Sequence, residues 1–406
     1  MPLVVQKFGG TSVGSLERIR AVAQRVKATR DAGNDVVVVV SAMSGETNRL
    51  LALGAELSGR PPRREMDTLV STGEQVSSAL LSIALTEGGA PAQSLTGHQT
   101  RIFTDGVFSK ARIRRIDVEP MRSSIAQGVI PVVAGFQGLD AVGNITTLGR
   151  GGTDTTAVAV AASLGADICE IYTDVEGVFT TDPGVCKEAH KIDRVTFEEM
   201  LELASLGAKV LQIRSVEVGM KYGIPIHVRS SFSDAEGTIV GGNDSLESVV
   251  VRGVALDRNE VKCTIRALPD HPGVVARVFE ALAENSISVD MIIQTAALDG
   301  RTDLTFTVTQ TDFDATRDVA TRAAQEIGAG EVSLDNSVVK VSIVGAGMRS
   351  HAGVAARMFR MLADHKINID AITTSEIRVS CLVNQAHGDQ AVGALHAGFG
   401  LTRNSQ

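Results

Sequence analysis

Lys7-Phe8-Gly9-Gly10-Thr11-Ser12-Val13-Gly14 joins two segments of opposite character. Before it, Val4 to Lys7 reads as a buried strand. After it, Ser15 to Arg30 carries Leu16, Ile19, Ala23 and Val26 on one face and charges on the other, the pattern of an amphipathic helix. A strand, a glycine-rich loop and a helix in that order build an anion site. Glycines let the backbone approach a phosphate, and a helix start offers free N–H groups with a positive dipole end. Lys7 at the strand end adds a full charge. The P-loop pattern GxxxxGK[ST] is not met, because the lysine here precedes the glycine pair. Taken alone, the same residues also describe a plain glycine turn.

Outward from this loop, strand and helix patterns alternate. Val36 to Ser41 is an apolar, β-branched run of the kind found inside a parallel sheet. Helices are expected at Thr47–Leu57 and Glu74–Thr86, and further strands at Ile130–Ala134, Ile168–Thr173 and Ile224–Val228. This alternation predicts an α/β fold, a three-layer αβα sandwich around a mostly parallel sheet, over residues 1–230. A polar, Gly-rich stretch from Ser230 to Ser248 follows, and 231–260 reads as linker. Beyond it the chain repeats itself. His271-Pro272-Gly273-Val274-Val275-Ala276-Arg277-Val278-Phe279 recurs as His351-Ala352-Gly353-Val354-Ala355-Ala356-Arg357-Met358-Phe359, and the match runs without gaps to Ile292 and Ile372. About half the aligned positions are identical, so this is a duplication. It divides the C-terminal part into 261–335 and 336–406. Each copy reads strand, Gly loop, helix, strand. Units so small are expected to pack against each other.

Composition narrows the function classes. A net charge of −8 and 3% aromatics, with no Trp, disfavour nucleic acid as a partner, since that needs a basic face and stacking rings. An apolar run such as Val36 to Val40 is too short to span a bilayer. No basic segment followed by a long apolar run opens the chain, which leads us to expect no signal peptide and a cytoplasmic location. Four scattered cysteines without a CxxC pair fit reduced thiols there. The eight histidines show no metal-ligand spacing, so no protein-held metal is expected.

Two further segments carry chemistry. Leu148-Gly149-Arg150-Gly151-Gly152-Thr153-Asp154-Thr155-Thr156 is a second glycine loop, here entering an apolar helix expected at Ala157–Leu164. Arg150 can clamp a carboxylate with two hydrogen bonds and Asp154 can accept from an ammonium, so one loop offers partners for both ends of an amino acid. A capped helix with a structural ion pair is the alternative. Tyr172-Thr173-Asp174-Val175-Glu176-Gly177-Val178-Phe179-Thr180-Thr181-Asp182-Pro183 leaves a strand end, where sheets bind nucleotides, or forms an ordinary turn. Ser41-Ala42-Met43-Ser44-Gly45-Glu46-Thr47 adds hydroxyls, and Ser71-Thr72-Gly73-Glu74, read as a helix start, adds a carboxylate.

In this order, and together with Gly207-Ala208-Lys209-Val210-Leu211, the segments resemble the amino-acid kinase superfamily, and within it the aspartate kinases. The C-terminal duplication resembles their paired ferredoxin-like ACT domains. The resemblance covers nearly the whole chain. It implies phosphorylation of the L-aspartate side chain by ATP, with Mg²⁺ held mainly by the phosphates. It assigns catalysis to Lys7, Lys209 and Asp154, and the phosphate cradle to Gly9, Gly10 and Ser12. Aspartate would be held by Ser41, Thr47, Glu74, Arg150, Thr153 and Asp154. ATP would be contacted by Lys7, Thr173, Asp174, Phe179, Asp182 and Lys209. Amino-acid effectors, lysine or threonine, would meet Asp270, Gly273, Val274 and Gln294 in the first repeat and Gly353, Ser375 and Glu376 in the second. A homodimer through the ACT domains is implied, with a separate small regulatory subunit as an alternative.

The chain departs from the family pattern at four places. Phe179 stands for a usual Tyr, Glu176 for Asp, and Gly184 for an Arg that would help hold phosphates. These bear on ATP affinity. Thr295 follows Gln294 where Asn is usual, which bears on feedback inhibition. Two competing readings are a sister kinase for another acid, such as glutamate, and an inactive amino-acid sensor built on the repeats.

Overall fold

Val36 to Val40 are all buried, none more than 3% exposed. Five buried valines in succession need a strand covered on both faces. In the computed structural model, which describes residues 1–206, 210–242 and 250–402, this run is β2 (Asp35–Val40). Before it come β1 (Leu3–Phe8) and α1 (Leu16–Asp31). After it come α2 (Glu46–Leu57), α3 (Arg63–Glu87), β3 (Ala92–Leu95), β4 (Ile102–Thr104), β5 (Ile113–Ile116), α4 (Glu119–Ala126) and β6 (Ile130–Ala134). The chain continues through β7 (Gln137–Leu139), β8 (Ile145–Thr147), α5 (Gly152–Leu164), β9 (Ile168–Thr173), β10 (Arg194–Thr196), α6 (Phe197–Ser205), α7 (Ile213–Tyr222), β11 (Ile226–Ser230) and β12 (Thr238–Gly241).

Eight of these strands form one sheet in the order β10-β12-β11-β9-β1-β2-β6-β3, parallel at every pairing except β11–β12. On one face α1 and α3 lay Ile19, Val22, Val26, Leu81 and Leu85 against Phe8, Val36, Val38, Val40 and Val132. On the other, α5 packs against β1, β2 and β9 and is buried at every residue from Thr155 to Ala161. Its lack of a polar face follows from α7 covering its outer side. The three-layer sandwich read from the sequence is therefore present. A second sheet, β5-β4-β7-β8, was not anticipated. Its strands are three or four residues long, too short for an alternating pattern to register.

Three element starts differ from the sequence reading by two residues or more. α3 starts at Arg63, behind Pro61-Pro62, so Ser71-Thr72-Gly73-Glu74 lies inside a helix rather than opening one. Gly73 serves close packing within this helix, since a Cβ there would stand 2.8 Å from the Cβ of Ala42. α5 starts at Gly152, placing Thr153 and Asp154 in its first turn. β11 starts at Ile226, because the Ile224 N–H closes the end of α7 on the Gly219 carbonyl.

The C-terminal unit contains β13 (Gly253–Asp257), β14 (Val261–Pro269), α8 (Val274–Glu284), β15 (Ile292–Gln294), β16 (Arg301–Val308), α9 (Phe313–Glu326) and β17 (Val332–Asp335). It ends with β18 (Val338–Val344), α10 (Val354–Asp364), β19 (Ala371–Thr374), β20 (Arg378–Asn384) and α11 (Gly388–Gly398). Two antiparallel sheets result, β15-β16-β14-β17 with α8 and α9, and β13-β18-β20-β19 with α10 and α11. The repeat is visible in detail: Gly273 and Gly353 cap α8 and α10 in the same left-handed conformation, φ 94° and 89°. The modules grip each other reciprocally. Lys262 Nζ lies 3.0 Å from Asp370 Oδ2, and Lys340 Nζ lies 2.5 Å from Asp290 Oδ2, Asp290 and Asp370 being equivalent in the repeat.

The domain boundaries are less simple than the sequence implied. The stretch 231–260 is not only linker: β12 joins the eight-stranded sheet, and β13 is an edge strand of the second module. The chain thus lays down one strand of the second module before building the first. Thr180–His190 also leaves the N-terminal unit and belongs with the C-terminal one. Its Cys186 sits in the second module's core with Val254, Val341 and Leu395, and Thr180 Oγ1 lies 2.9 Å from His396 Nε2. Strand pairing and core membership depend on partners distant in sequence, which a local pattern does not reveal.

Candidate active site

β1 lies between β9 and β2, and successive strands leave it in opposite directions across the sheet. Such a switch point opens a crevice at the carboxyl ends of the strands. Lys7 stands at that end, in register with Val39 and Ile171. Its side chain is nearly buried, and Nζ lies 2.7 Å from Asp154 Oδ1 in the first turn of α5. The following loop is pinned on every side. The Gly9 N–H donates to the Tyr172 carbonyl (3.2 Å), the Ser12 N–H to the Gly9 carbonyl (2.9 Å), and the Ser44 N–H to the Gly10 carbonyl (3.1 Å). Ser12 Oγ lies 2.5 Å from Ser231 Oγ. Gly10 has no room for a side chain, since a Cβ would stand 2.9 Å from the Ala42 carbonyl. The cradle is thereby held against the segment carrying Ser41 and, in the first turn of α2, Thr47.

Glu74 enters from α3. It is 3% exposed, and its Oε1 accepts the Ala42 N–H at 3.1 Å. Oε2 is buried with no partner among the described residues. Burial disfavours the charged carboxylate and pushes Glu74 up to about 7 against the opposing effect of the Ala42 hydrogen bond. A buried carboxylate with one free oxygen fits an incoming ammonium.

The loop 148–152 supplies the opposite charge. Gly149 and Gly151 are both left-handed, φ 79° and 70°, and Gly151 abuts Gln212 so closely that a Cβ would stand 2.1 Å from its Cγ. Arg150 is exposed and its guanidinium has no partner among the described residues. Thr153 is buried, packed against Gly135. Asp154 has a different partner from the ammonium expected of it, namely Lys7. Gln212 and Arg214, which no motif singled out, brace this loop. Gln212 Nε2 donates to the Arg150 carbonyl at 3.3 Å, and Arg214 Nη1 to the Leu148 carbonyl at 2.7 Å.

At the end of β9, Thr173 is half-buried and Asp174 exposed, with Thr173 Oγ1 donating to Asp174 Oδ1 at 3.1 Å. The loop beyond is anchored by β12: the Val178 N–H donates to Thr238 Oγ1 at 2.9 Å, and Phe179 forms a bridge with Lys191. Asp182 belongs to the C-terminal unit, where its carboxylate accepts the Gly184 N–H at 2.7 Å and shapes its own turn. Lys209 lies outside the described residues. Among the described residues no cluster of three His, Cys, Asp or Glu could hold a metal, and no helix is long and apolar enough to cross a membrane.

Residues 2–230 match the amino acid kinase family, and 266–323 and 341–399 each match the ACT domain. The aspartate kinase of Pseudomonas fluorescens (strain SBW25) is 55% identical over 405 residues, 99% of this chain and 98% of that protein. The chain belongs to the aspartate kinase family. Escherichia coli aspartokinase III in complex with aspartate and ADP shares the fold with a TM-score of 0.80, at 28% identity over 98% of this chain and 99% of that one. The lysine and aspartate complex of the same enzyme gives 0.78 at 28% identity, with 98% and 99% covered. In this aspartate kinase the repeats are the ACT domains, with the seven expected effector residues on loops, helix starts and strand ends. Asp270 is exposed after β14, Gly273 and Val274 start α8, and Gln294 ends β15. Gly353 starts α10, Ser375 donates its N–H to the Arg378 carbonyl (2.8 Å), and Glu376 pairs with Arg349 at 3.0 Å. Thr295 is held within its own hairpin, its Oγ1 accepting the Asp303 N–H at 3.0 Å.

Proposed function

We propose that this chain transfers the γ-phosphoryl group of ATP to the side-chain carboxylate of L-aspartate, giving 4-phospho-L-aspartate, the first step toward lysine, threonine and methionine. The observation that carries the reading is a nearly buried Lys7 paired with Asp154 at the carboxyl end of β1, and it is supported by a buried Glu74 whose Oε2 has no partner among the described residues.

The side chain of aspartate is already ionised at neutral pH and is itself the nucleophile, so no base has to remove a proton. One carboxylate oxygen bonds to the γ-phosphorus as the bond to the β–γ bridging oxygen breaks, and ADP leaves. The difficulty is to bring two anions together and to stabilise spreading negative charge, a task for positioning and fixed cations. Lys7 supplies that charge, with Asp154 fixing its direction. Glu74 receives the substrate ammonium and Arg150 the α-carboxylate, while Ser41, Thr47 and Thr153 line the pocket. Gly9, Gly10 and Ser12 receive phosphate, Thr173, Asp174 and Phe179 the nucleotide, and Lys209 completes the phosphate contacts. Mg²⁺ accompanies ATP as part of the substrate, on phosphate oxygens.

Control by amino acids is assigned to the ACT loops, with lysine or threonine as effectors and a homodimer through the ACT domains as the working form. The test is acyl-phosphate formation trapped as the hydroxamate, with L-aspartate and L-glutamate in parallel, each with and without lysine plus threonine. Aspartate-specific turnover that falls with the effectors is expected. Equal use of glutamate would overturn the substrate assignment. No turnover in folded protein would favour the sensor reading.

A further inference from the structure

α3 carries a second buried carboxylate two turns before Glu74. Asp67 is 1% exposed, and positions seven apart lie on one face of a helix. Among the described residues no cation pairs with it; four neutral donors do. Oδ2 accepts the backbone N–H of Ser109 and of Thr147, each at 2.8 Å. Oδ1 accepts Thr147 Oγ1 at 2.9 Å and Ser109 Oγ at 3.2 Å.

Both partners adjoin the Arg150 loop. Thr147 ends β8, three residues before Arg150. Ser109 holds φ 70°, a left-handed conformation costly to a side-chain-bearing residue, so something outside the loop must enforce it. In that conformation its carbonyl faces Gly149, where a Cβ would stand 3.1 Å away. The Ala111 N–H closes the arrangement on the Thr147 carbonyl at 2.9 Å, and Arg214 Nη2 donates to the Ala111 carbonyl at 3.1 Å. The segments 109–111 and 147–149 are therefore tied to each other, and Asp67 ties both to α3.

We propose that Asp67 is a positioning residue for aspartate recognition, holding the Arg150 loop at a fixed distance from Glu74 through its hydrogen bonds to Ser109 and Thr147. This rests on the reading of Arg150 and Glu74 as the groups that grip the α-carboxylate and the ammonium. One rigid helix then sets the spacing of the two subsites. The role needs acceptors in the right places rather than a negative charge. An asparagine at 67 can present its carbonyl to the two backbone N–H groups and its NH₂ to the two hydroxyls, which accept as readily as they donate.

The test is steady-state kinetics on the full chain, with KM for aspartate and for ATP measured separately. Asp67→Ala is expected to raise aspartate KM at least about tenfold with ATP KM within about twofold, and Asp67→Asn to stay within about threefold of the parent. Thr147→Val, which deletes one hydroxyl donor and keeps the shape, is expected to raise aspartate KM a few-fold and decides the matter if Asp67→Ala does not fold. A fall in thermal stability or kcat with both KM values unmoved would make Asp67 merely structural and overturn the proposal. So would failure of Asp67→Asn to rescue. Arg150→Ala separates the two readings. If it raises aspartate KM while Asp67→Ala and Thr147→Val do not, the positioning role alone falls; if it leaves aspartate KM unchanged, the clamp reading falls and takes this proposal with it.

Discussion

Lys7 Nζ and Asp154 Oδ1 stand 2.7 Å apart at the carboxyl end of β1, with side chains 10% and 13% exposed. The two motifs that a reader of the sequence would treat as separate loops therefore share one ion pair. Lys7→Ala should lower kcat at least about 10²-fold, the scale of losing one electrostatic donor to a transition state. Asp154→Asn should also lower kcat, because Lys7 loses the group that aims it. The double variant should be no worse than Lys7→Ala alone, since residues that act as a unit are not additive. Multiplied effects in the hydroxamate assay would show that the two work independently.

Arg150→Ala should act on binding. The guanidinium has no partner among the described residues, so its removal leaves no buried charge behind. Aspartate KM should rise by about tenfold to a hundredfold, on the scale of a hydrogen-bonded charge, with ATP KM unchanged. An unchanged aspartate KM would refute the clamp.

Glu74 predicts a pH dependence. Burial raises its carboxyl to about 7, and the ionised form is the one that binds an ammonium. Apparent aspartate affinity should weaken as pH falls from 8 to 6, by up to about tenfold per unit below the pKa. Glu74→Gln should bind weakly and lose this dependence. Stability runs the other way. The folded pKa is raised above the ordinary 4.5, so the ligand-free protein gains from protonated Glu74 at low pH and loses that gain as pH rises through about 7. Thermal melts of parent and Glu74→Gln across that window check the sign, and a parallel pair of curves would refute it.

Lys340 is 3% exposed and meets Glu260, 5% exposed, and Asp290. Burial alone would push its ammonium down, but Glu260 and Asp290 outweigh burial and hold it up. Lys340→Met should destabilise the C-terminal unit by about 3–5 kcal/mol, because buried Glu260 loses its cation and must either stay charged unpaired or take up a proton, and burial already pushes its carboxyl up. Adding Glu260→Leu should recover most of the loss. Thermal unfolding of the three proteins measures this, and a harmless Lys340→Met would show that the pair contributes little.

Much of the site was legible in the chain. Lys7, Gly9, Gly10, Arg150 and Asp154 occur in short, glycine-marked runs whose chemistry is local, and Gly10, Gly149 and Gly151 have the close contacts or left-handed backbone that make glycine necessary. Glu74 was found, but in a segment read as a helix start that lies inside α3. Asp67, Gln212 and Arg214 were not found. Each acts by bonding to backbone groups far along the chain, and a lone Asp on an amphipathic helix gives no sign of that. The partner of Asp154 was also hidden, since its carboxylate could serve an ammonium of the substrate or one of the protein equally well.

By itself the sequence determined the layers and the repeat. Hydrophobic period, β-branched runs and glycine placement act over a few residues, and the duplication is a comparison of the chain with itself. Only the tertiary structure decided that Thr180–His190 and β13 join the second ACT module, that Lys262 and Lys340 reach across to Asp370 and Asp290, and that Asp67 closes on Ser109 and Thr147. These are pairings between distant groups, most of them satisfying a buried polar atom or an open sheet edge. A buried donor or acceptor must find a partner, but which partner is fixed by where the folded backbone brings it.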